Sequence, residues 1–158
     1  MPIQRIAPNV NGDGRRVAIV LSRFNGDVGE IILAGALRSL AEAGVAERDI
    51  LVVTVPGALE TPLALQRIAQ SGEFDALVAL GAVIRGDTYH FEIVANESAA
   101  GVASVQLEFG IPVGNGILTT DTEEQALARL IQKGGDCAEV AVEMANLVRE
   151  IRNEKRTA

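Results

Sequence analysis

The only histidine of the chain, His90, follows directly on the only tyrosine in the segment GAVIRGDTYHFE, residues 81–92. An imidazole can accept and return a proton near neutral pH. Gly86 permits a close backbone approach, and Asp87 and Thr88 stand where a helix would begin, so first-turn N–H groups could bind a phosphate. The segment indicates a phosphate loop that positions a histidine for proton transfer. It also fits an ordinary helix start, capped by Asp87 or Thr88, beside a structural histidine.

Two other segments carry side chains suited to a planar or hydroxylated ligand. Phe24, in SRFN, follows an apolar run and could stack on a heterocycle, or it could belong to the core. VPGALETP turns at a Pro-Gly pair and could present the Glu60 carboxylate, with the N–H groups of Ala58 and Leu59, to a polyol or an imide edge. The alternative for Glu60 is an acid at a helix start, stabilised by the helix dipole.

Two candidate basic side chains and the single cysteine occur late in the chain. Arg129 and Lys133 stand four residues apart, so they would share one helix face. They could bind a phosphate, or they could pair with nearby glutamates and solvent. We interpret Cys137 as a small buried residue, because no histidine lies near it in sequence. With one histidine, one cysteine and no array of carboxylates, we expect no metal site.

Alternating apolar and amphipathic segments must position these side chains. We predict strands at 17–22, 50–55, 76–81 and, more weakly, 111–119, and helices at 25–43, 61–71, 88–109, 121–133 and 136–152. Gly134 and Gly135 would separate the last two helices. The first three strands are continuous apolar runs, as expected of parallel strands covered on both faces.

This order predicts a single α/β domain over residues 1–158, with residues 1–14 as a flexible N-terminal arm. The fold would be a three-layer sandwich, flavodoxin-like, in which helices flank a four-stranded parallel sheet. Such sheets bind ligands outside the carboxyl ends of their strands. The segments that carry the candidate side chains follow those strand ends, so we expect them to meet at one edge.

Composition limits the function classes. The 158 residues are 48% hydrophobic and 22% charged, which is typical of a folded domain. The net charge of −7 argues against a nucleic-acid surface. We find no secretory signal and no apolar run near the roughly 20 residues of a membrane span. A single cysteine requires no oxidising compartment. We therefore expect a soluble, cytoplasmic protein with no membrane partner.

Six segments taken together resemble the lumazine synthase family, over about residues 15–149. They are SRFN, VPGALETP, GAVIRGDTYHFEIVANESAAG, IPVGNGILTT, EQALAR and VEMANL, and VIRGDTYHFE is a specific signature of that family. The resemblance implies condensation of 5-amino-6-(D-ribitylamino)uracil with 3,4-dihydroxy-2-butanone 4-phosphate. The products would be 6,7-dimethyl-8-ribityllumazine, phosphate and water, in the penultimate step of riboflavin biosynthesis, without metal or redox cofactor.

The resemblance also implies roles for individual residues. Phe24 would stack on the pyrimidine, and His90 would transfer protons. The phosphate would bind at Asp87 and Thr88 together with Arg129. The contacts to the ribityl chain and the pyrimidine would come from Ala58, Leu59, Glu60, Ala82, Val83 and Ile84. Lys133 matches a nearby lysine of the family, and Asn115 stands where many members carry Phe, so an apolar contact would become polar.

Family members assemble as pentamers, some of which pair into decamers or close into sixty-subunit shells. The resemblance therefore implies a homo-oligomer whose sites are shared, with Asn115 and Arg129 acting across an interface, and riboflavin synthase as a candidate partner. The open edges of a four-stranded sheet and the small residues of ESAAGVAS fit such an assembly. Three alternatives stay open: a lumazine or flavin carrier that has lost turnover, a mainly structural container, and, more remotely, a different phosphosugar enzyme on a similar α/β scaffold.

Overall fold

The computed structural model describes residues 2–157, apart from the side chains of residues 123, 126–128 and 154–157. Four parallel strands form one sheet in the order β2-β1-β3-β4. The strands are β1 Val17–Ser22, β2 Ile50–Val55, β3 Ala76–Ile84 and β4 Val113–Thr120. The helices are α1 Gly26–Ala43, α2 Thr61–Ser71, α3 His90–Phe109 and α4 Glu123–Thr157. The predicted three-layer, flavodoxin-like architecture is confirmed.

The core consists of two apolar layers, one on each face of the sheet. Alternate residues of a strand point to opposite faces. Ile19 and its neighbours at every second position therefore pack against α1 and α4, whereas Val20 packs against α2 and α3. β1 and most of β3 are buried on both sides, as predicted. The prediction is wrong for β2, which lies at the sheet edge and leaves Leu51 and Val52 exposed by 40% and 38%.

The last helix is continuous, so the predicted break at Gly134 and Gly135 is wrong. The reason is the crossing of α1 and α4. A Cβ at position 134 would press on the carbonyl oxygen of Ile32 and lie 3.1 Å from the nitrogen of Ala36. The absence of a side chain lets the two helix backbones approach. Burial at this contact outweighs the unfavourable helix propensity of glycine, which is roughly 1 kcal/mol per residue.

The segment that precedes β1 is held against α1 and α4. The buried side-chain amide of Asn146 donates to the carbonyl oxygens of Asn9 at 2.8 Å and Asn11 at 2.9 Å. The nitrogen of Gly12 donates to the carbonyl of Ala43 at 2.7 Å. These bonds fix the end of the predicted arm, and the flexibility of its earlier residues stays a prediction. Within residues 2–157, no helix is long and apolar enough to cross a membrane.

Candidate active site

A cavity of about 620 Å³ opens at the carboxyl edge of the sheet, on the side of α2 and α3. Its size falls in the range of small-molecule sites, about 300–1,000 Å³. The predicted site residues that line it are Phe24, Ala58, Leu59, Glu60, Ala82, Val83, Ile84, Thr88 and His90. Gly86, which the sequence placed in the phosphate loop, also lines the cavity. The wall is completed by four residues that sequence reasoning did not assign to the site: Pro56, Gly57, Phe91 and Val94.

Phe24 reaches the cavity from the turn between β1 and α1. The residue is 69% exposed, so the alternative that it belongs to the core is wrong. The next residue, Asn25, has a positive φ of 63°, a left-handed conformation that asparagine tolerates better than most residues. Its side-chain amide donates to the carbonyl oxygen of Ala82 at 3.3 Å. This bond ties the Phe24 turn to β3, which forms the cavity floor.

The segment after β2 supplies a carboxylate. Ala58–Glu60 form one short 3₁₀ turn that leads directly into α2. Ala58 is buried, whereas Leu59 and Glu60 are exposed towards solvent. The Glu60 side chain folds back over Gly57, where a Cβ would lie 3.7 Å from Oε1. An apolar wall and one acidic group therefore face the same space.

The third part of the site is the connection from β3 to α3. β3 continues to Ile84, beyond the predicted end at residue 81, so Ala82 and Val83 are strand residues rather than loop residues. α3 begins at His90, two residues after the predicted start. The Thr88 hydroxyl accepts a hydrogen bond from the backbone N–H of His90 at 3.3 Å. The N-cap residue is nevertheless Tyr89, without a side-chain capping bond, so the expectation that Asp87 or Thr88 caps this helix is wrong.

Four predicted site residues do not line this cavity: Asp87, Asn115, Arg129 and Lys133. Asp87 is exposed beside it. Asn115 lies on the edge strand β4, where its Oδ1 accepts from the N–H of Ile117 at 3.0 Å. Arg129 is exposed on α4, a helix that packs on the other face of the sheet. Among the lining residues of the described chain, none carries a positive charge apart from a protonatable His90.

Cys137 is buried in α4, and its thiol donates to the carbonyl oxygen of Gly134 at 3.3 Å. Burial raises the pKa of Cys137 to about 12, so the thiol stays protonated at neutral pH. The interpretation as a small buried residue is confirmed. In the part of the chain that the structure describes, no three His, Cys, Asp or Glu side chains gather as metal ligands.

Comparison with known proteins agrees with the resemblance. Residues 14–149 match the family model described as 6,7-dimethyl-8-ribityllumazine synthase. Three proteins of that name are similar to this chain. The one from Nitrosomonas europaea is 60% identical over 146 residues, 92% of this chain and 89% of the relative. The Bordetella petrii protein is 58% identical over 150 residues, which are 95% of this chain and 86% of the relative. The Ralstonia pickettii protein is 59% identical over 143 residues, which are 90% of this chain and 86% of the relative.

Proposed function

The chain belongs to the 6,7-dimethyl-8-ribityllumazine synthase family, and from this premise we propose that the cavity at the carboxyl edge of its sheet is the active site. The enzyme is a transferase of riboflavin biosynthesis. It condenses 5-amino-6-(D-ribitylamino)uracil with 3,4-dihydroxy-2-butanone 4-phosphate to give 6,7-dimethyl-8-ribityllumazine, phosphate and water. The observation that carries the proposal is the meeting of Phe24, Glu60, Thr88 and His90 around one cavity.

Phe24 and the end of β3 bind the pyrimidine. An exposed ring at the cavity mouth offers its face to a planar heterocycle, and stacking adds about 0.5–1.5 kcal/mol to the burial of its area. Ala82, Val83 and Ile84 form the floor of the cavity. Glu60, at the start of α2, accepts hydrogen bonds from ribityl hydroxyls or from a ring N–H.

His90 moves protons during the condensation. The amine of one substrate attacks the carbonyl of the other, a first water leaves as the imine forms, phosphate is eliminated, and the second amine closes the ring with loss of a second water. These steps need protons both accepted and donated, which suits an imidazole at the start of α3. Both substrates bring their own reactive groups, so much of the acceleration comes from holding them together in a productive geometry.

The phosphate requires a cation that the described cavity does not contain. Thr88 and the first-turn N–H groups of α3 stand at one end of the cavity, with Asp87 beside them. Arg129 of a neighbouring copy supplies the guanidinium, which can bind two phosphate oxygens at once. Lys133, four residues along the same helix, lies near this phosphate. Asn115 of that neighbour meets the pyrimidine at the position where many relatives carry Phe.

The assembly that brings these residues together is a homopentamer, either alone or as the unit of a larger particle. Support comes from large apolar side chains that one copy leaves in solvent. They include Leu107 at 82% and Ile93 at 45% on α3, and Ile131 at 67% on α4. Isolated exposed apolar residues are normal, but helix faces of this kind on both sides of the sheet are typical of subunit contacts. We also propose a cytoplasmic location and riboflavin synthase as a partner.

A rate measurement tests the function. Purified protein is mixed with the two substrates, and lumazine formation is followed spectroscopically against a protein-free control for the spontaneous reaction. We expect formation far above that control, with saturation in both substrates. A rate equal to the control, together with tight lumazine or flavin binding, would make the chain a carrier on a synthase fold and would contradict the proposal.

A further inference from the structure

One arginine beside the cavity contacts three separate segments of the chain. Arg85 directly follows β3, and its backbone N–H donates to the carbonyl of Thr120 at 2.8 Å. Its Nε donates to Asp121 Oδ1 at 2.7 Å, and its Nη1 forms an ion pair with Glu92 Oε1. The guanidinium also lies over the ring of Phe91, 4.5 Å from the ring centre. Arg85 therefore joins the ends of β3 and β4 to the first turn of α3.

Arg85 is a counter-ion for two carboxylates, those of Asp121 and Glu92. The hydrogen bond to the Asp121 carboxylate, and next the one to Glu92, raise the pKa of Arg85 above its ordinary value. The second carboxylate oxygen of Glu92 is buried and has no hydrogen-bond partner among the described residues. A partly buried carboxylate is costly to leave without a counter-ion. Loss of Arg85 would thus disturb the first turn of α3, where Glu92 lies two residues from His90.

The ion pair between Arg85 and Glu92 joins the two ends of the short segment that lies between them. That segment contains Gly86, Thr88 and His90, which line the cavity, whereas Arg85 itself does not. The stacked ring of Phe91 also lines the cavity. The guanidinium contacts two carboxylates and one aromatic ring at the same time. It restricts the conformation of the segment more than a lysine could, because the guanidinium is a rigid planar group with several donors and an ammonium is a point charge.

We propose that Arg85 is a positioning residue of this active site, which orients His90 by clamping the segment that connects β3 to α3. This inference rests on the proposed function for its kinetic consequence. It has a structural consequence as well, the placement of the imidazole, which can be measured whether or not the protein turns over substrate.

The test compares Arg85→Ala and Arg85→Lys with a matched control, Arg38→Ala. Arg38 also forms an ion pair, with Glu42 at 3.1 Å, but the pair is exposed on α1 away from the cavity. We expect Arg85→Ala to lower kcat by about 10- to 100-fold, as a misplaced catalytic group does. The lysine variant should fall between wild type and alanine. Because Arg85 is 45% exposed, millimolar guanidinium should restore part of the alanine variant's kcat. Arg38→Ala should retain wild-type kinetics.

A second readout does not depend on turnover. The chain has a single histidine, so the imidazole NMR signal of the assembled protein belongs to His90 without further assignment. Arg85→Ala should shift or broaden that signal, and Arg38→Ala should leave it unchanged. An unchanged His90 signal in Arg85→Ala would overturn the inference. The inference would also be overturned if the kcat of Arg85→Ala fell only in proportion to the fraction of folded protein and guanidinium restored none of it. If wild type itself fails to exceed the spontaneous rate, the proposed function fails, and the His90 signal still decides the role of Arg85.

Discussion

Phe24 leaves most of an aromatic ring in water at the mouth of the cavity, and this exposure separates its binding role from any role in folding. Replacing it by alanine removes a stacking surface but few core contacts. We expect Phe24→Ala to raise the KM for the ribitylaminouracil about tenfold, since a loss of about 1.4 kcal/mol corresponds to that factor. The melting temperature should stay within a degree or two of wild type. Steady-state kinetics with the uracil substrate varied, beside a thermal scan, measure both quantities.

The matched variant for this position is Phe24→Tyr, which keeps the ring face and should keep the KM near its wild-type value. An unchanged KM in Phe24→Ala would remove the ring from the pyrimidine site. A large loss of stability in the same variant would instead indicate that Phe24 belongs to the packing of the β1–α1 turn.

At the residue scale, the sequence predicted the side chains that follow strand ends, because parallel strands deliver their carboxyl ends to one edge. His90, Phe24 and the turn at Ala58–Glu60 were found in this way. The supporting residues could not be found, because their partners are distant in sequence. Asn25 bonds to Ala82, 57 residues away, and Arg85 bonds to Asp121, 36 residues away. Their residue types alone contain no signal of these contacts.

At the scale of elements, the crossing of α1 and α4 depends on the absence of a side chain at Gly134. A Cβ there would meet the backbone of Ile32 and Ala36, which cannot move aside as a flexible side chain could. We expect Gly134→Ala to lower the free energy of unfolding by about 1–3 kcal/mol, the usual cost of overpacking. Denaturant unfolding of the two proteins at the same subunit concentration measures the difference.

The adjacent glycine provides a matched control. At Gly135 a Cβ would find its nearest neighbours at 3.8 Å, an ordinary contact, in the same helix. Gly135→Ala should therefore be neutral or stabilising by roughly 0.5–1 kcal/mol, because alanine favours the helix. Equal effects at the two positions would show that helix propensity, and not the approach of the backbones, determines the outcome.

The elements themselves were largely predictable from apolar runs and from the glycines that end α1 and α2, and the errors lie where tertiary contacts override local signals. The pair of glycines in α4 is locally a helix break, and only the position of α1 explains why the helix continues. β3 extends to Ile84 because β4 pairs with it as far as Thr120. β2 is as apolar in sequence as β1, yet one is an edge strand and the other is central.

At the scale of the whole molecule, we propose that a single copy does not form the complete site. His90 lines the cavity, whereas Arg129 lies on a helix that packs on the other face of the sheet. We expect Arg129→Ala to raise mainly the KM for the butanone phosphate, because the role proposed for the guanidinium is to bind the phosphate group of that substrate. Kinetics with that substrate varied check the expectation, and an unchanged KM would remove Arg129 from the phosphate site.

Mixed assemblies extend the Arg129 test to the sharing of sites. Subunits with His90→Ala and subunits with Arg129→Ala are unfolded, mixed and reassembled together. At low butanone phosphate, a mixed oligomer should be more active than the mean of the two parent variants, because some interfaces join a wild-type His90 to a wild-type Arg129. Activity equal to that mean would contradict a site shared between copies. The particle mass in solution gives the number of subunits.

We propose that the lone histidine performs proton transfer for lumazine formation in the cavity at the carboxyl edge of the sheet. Comparison of wild type, His90→Ala and a protein-free control at saturating substrates tests it most directly. We predict that His90→Ala lowers kcat by about 10²-fold, at the lower end of general acid–base effects. Its rate should still exceed the spontaneous one, because Phe24 and the cavity walls continue to hold the substrates together. A His90→Ala enzyme as fast as wild type would contradict the account.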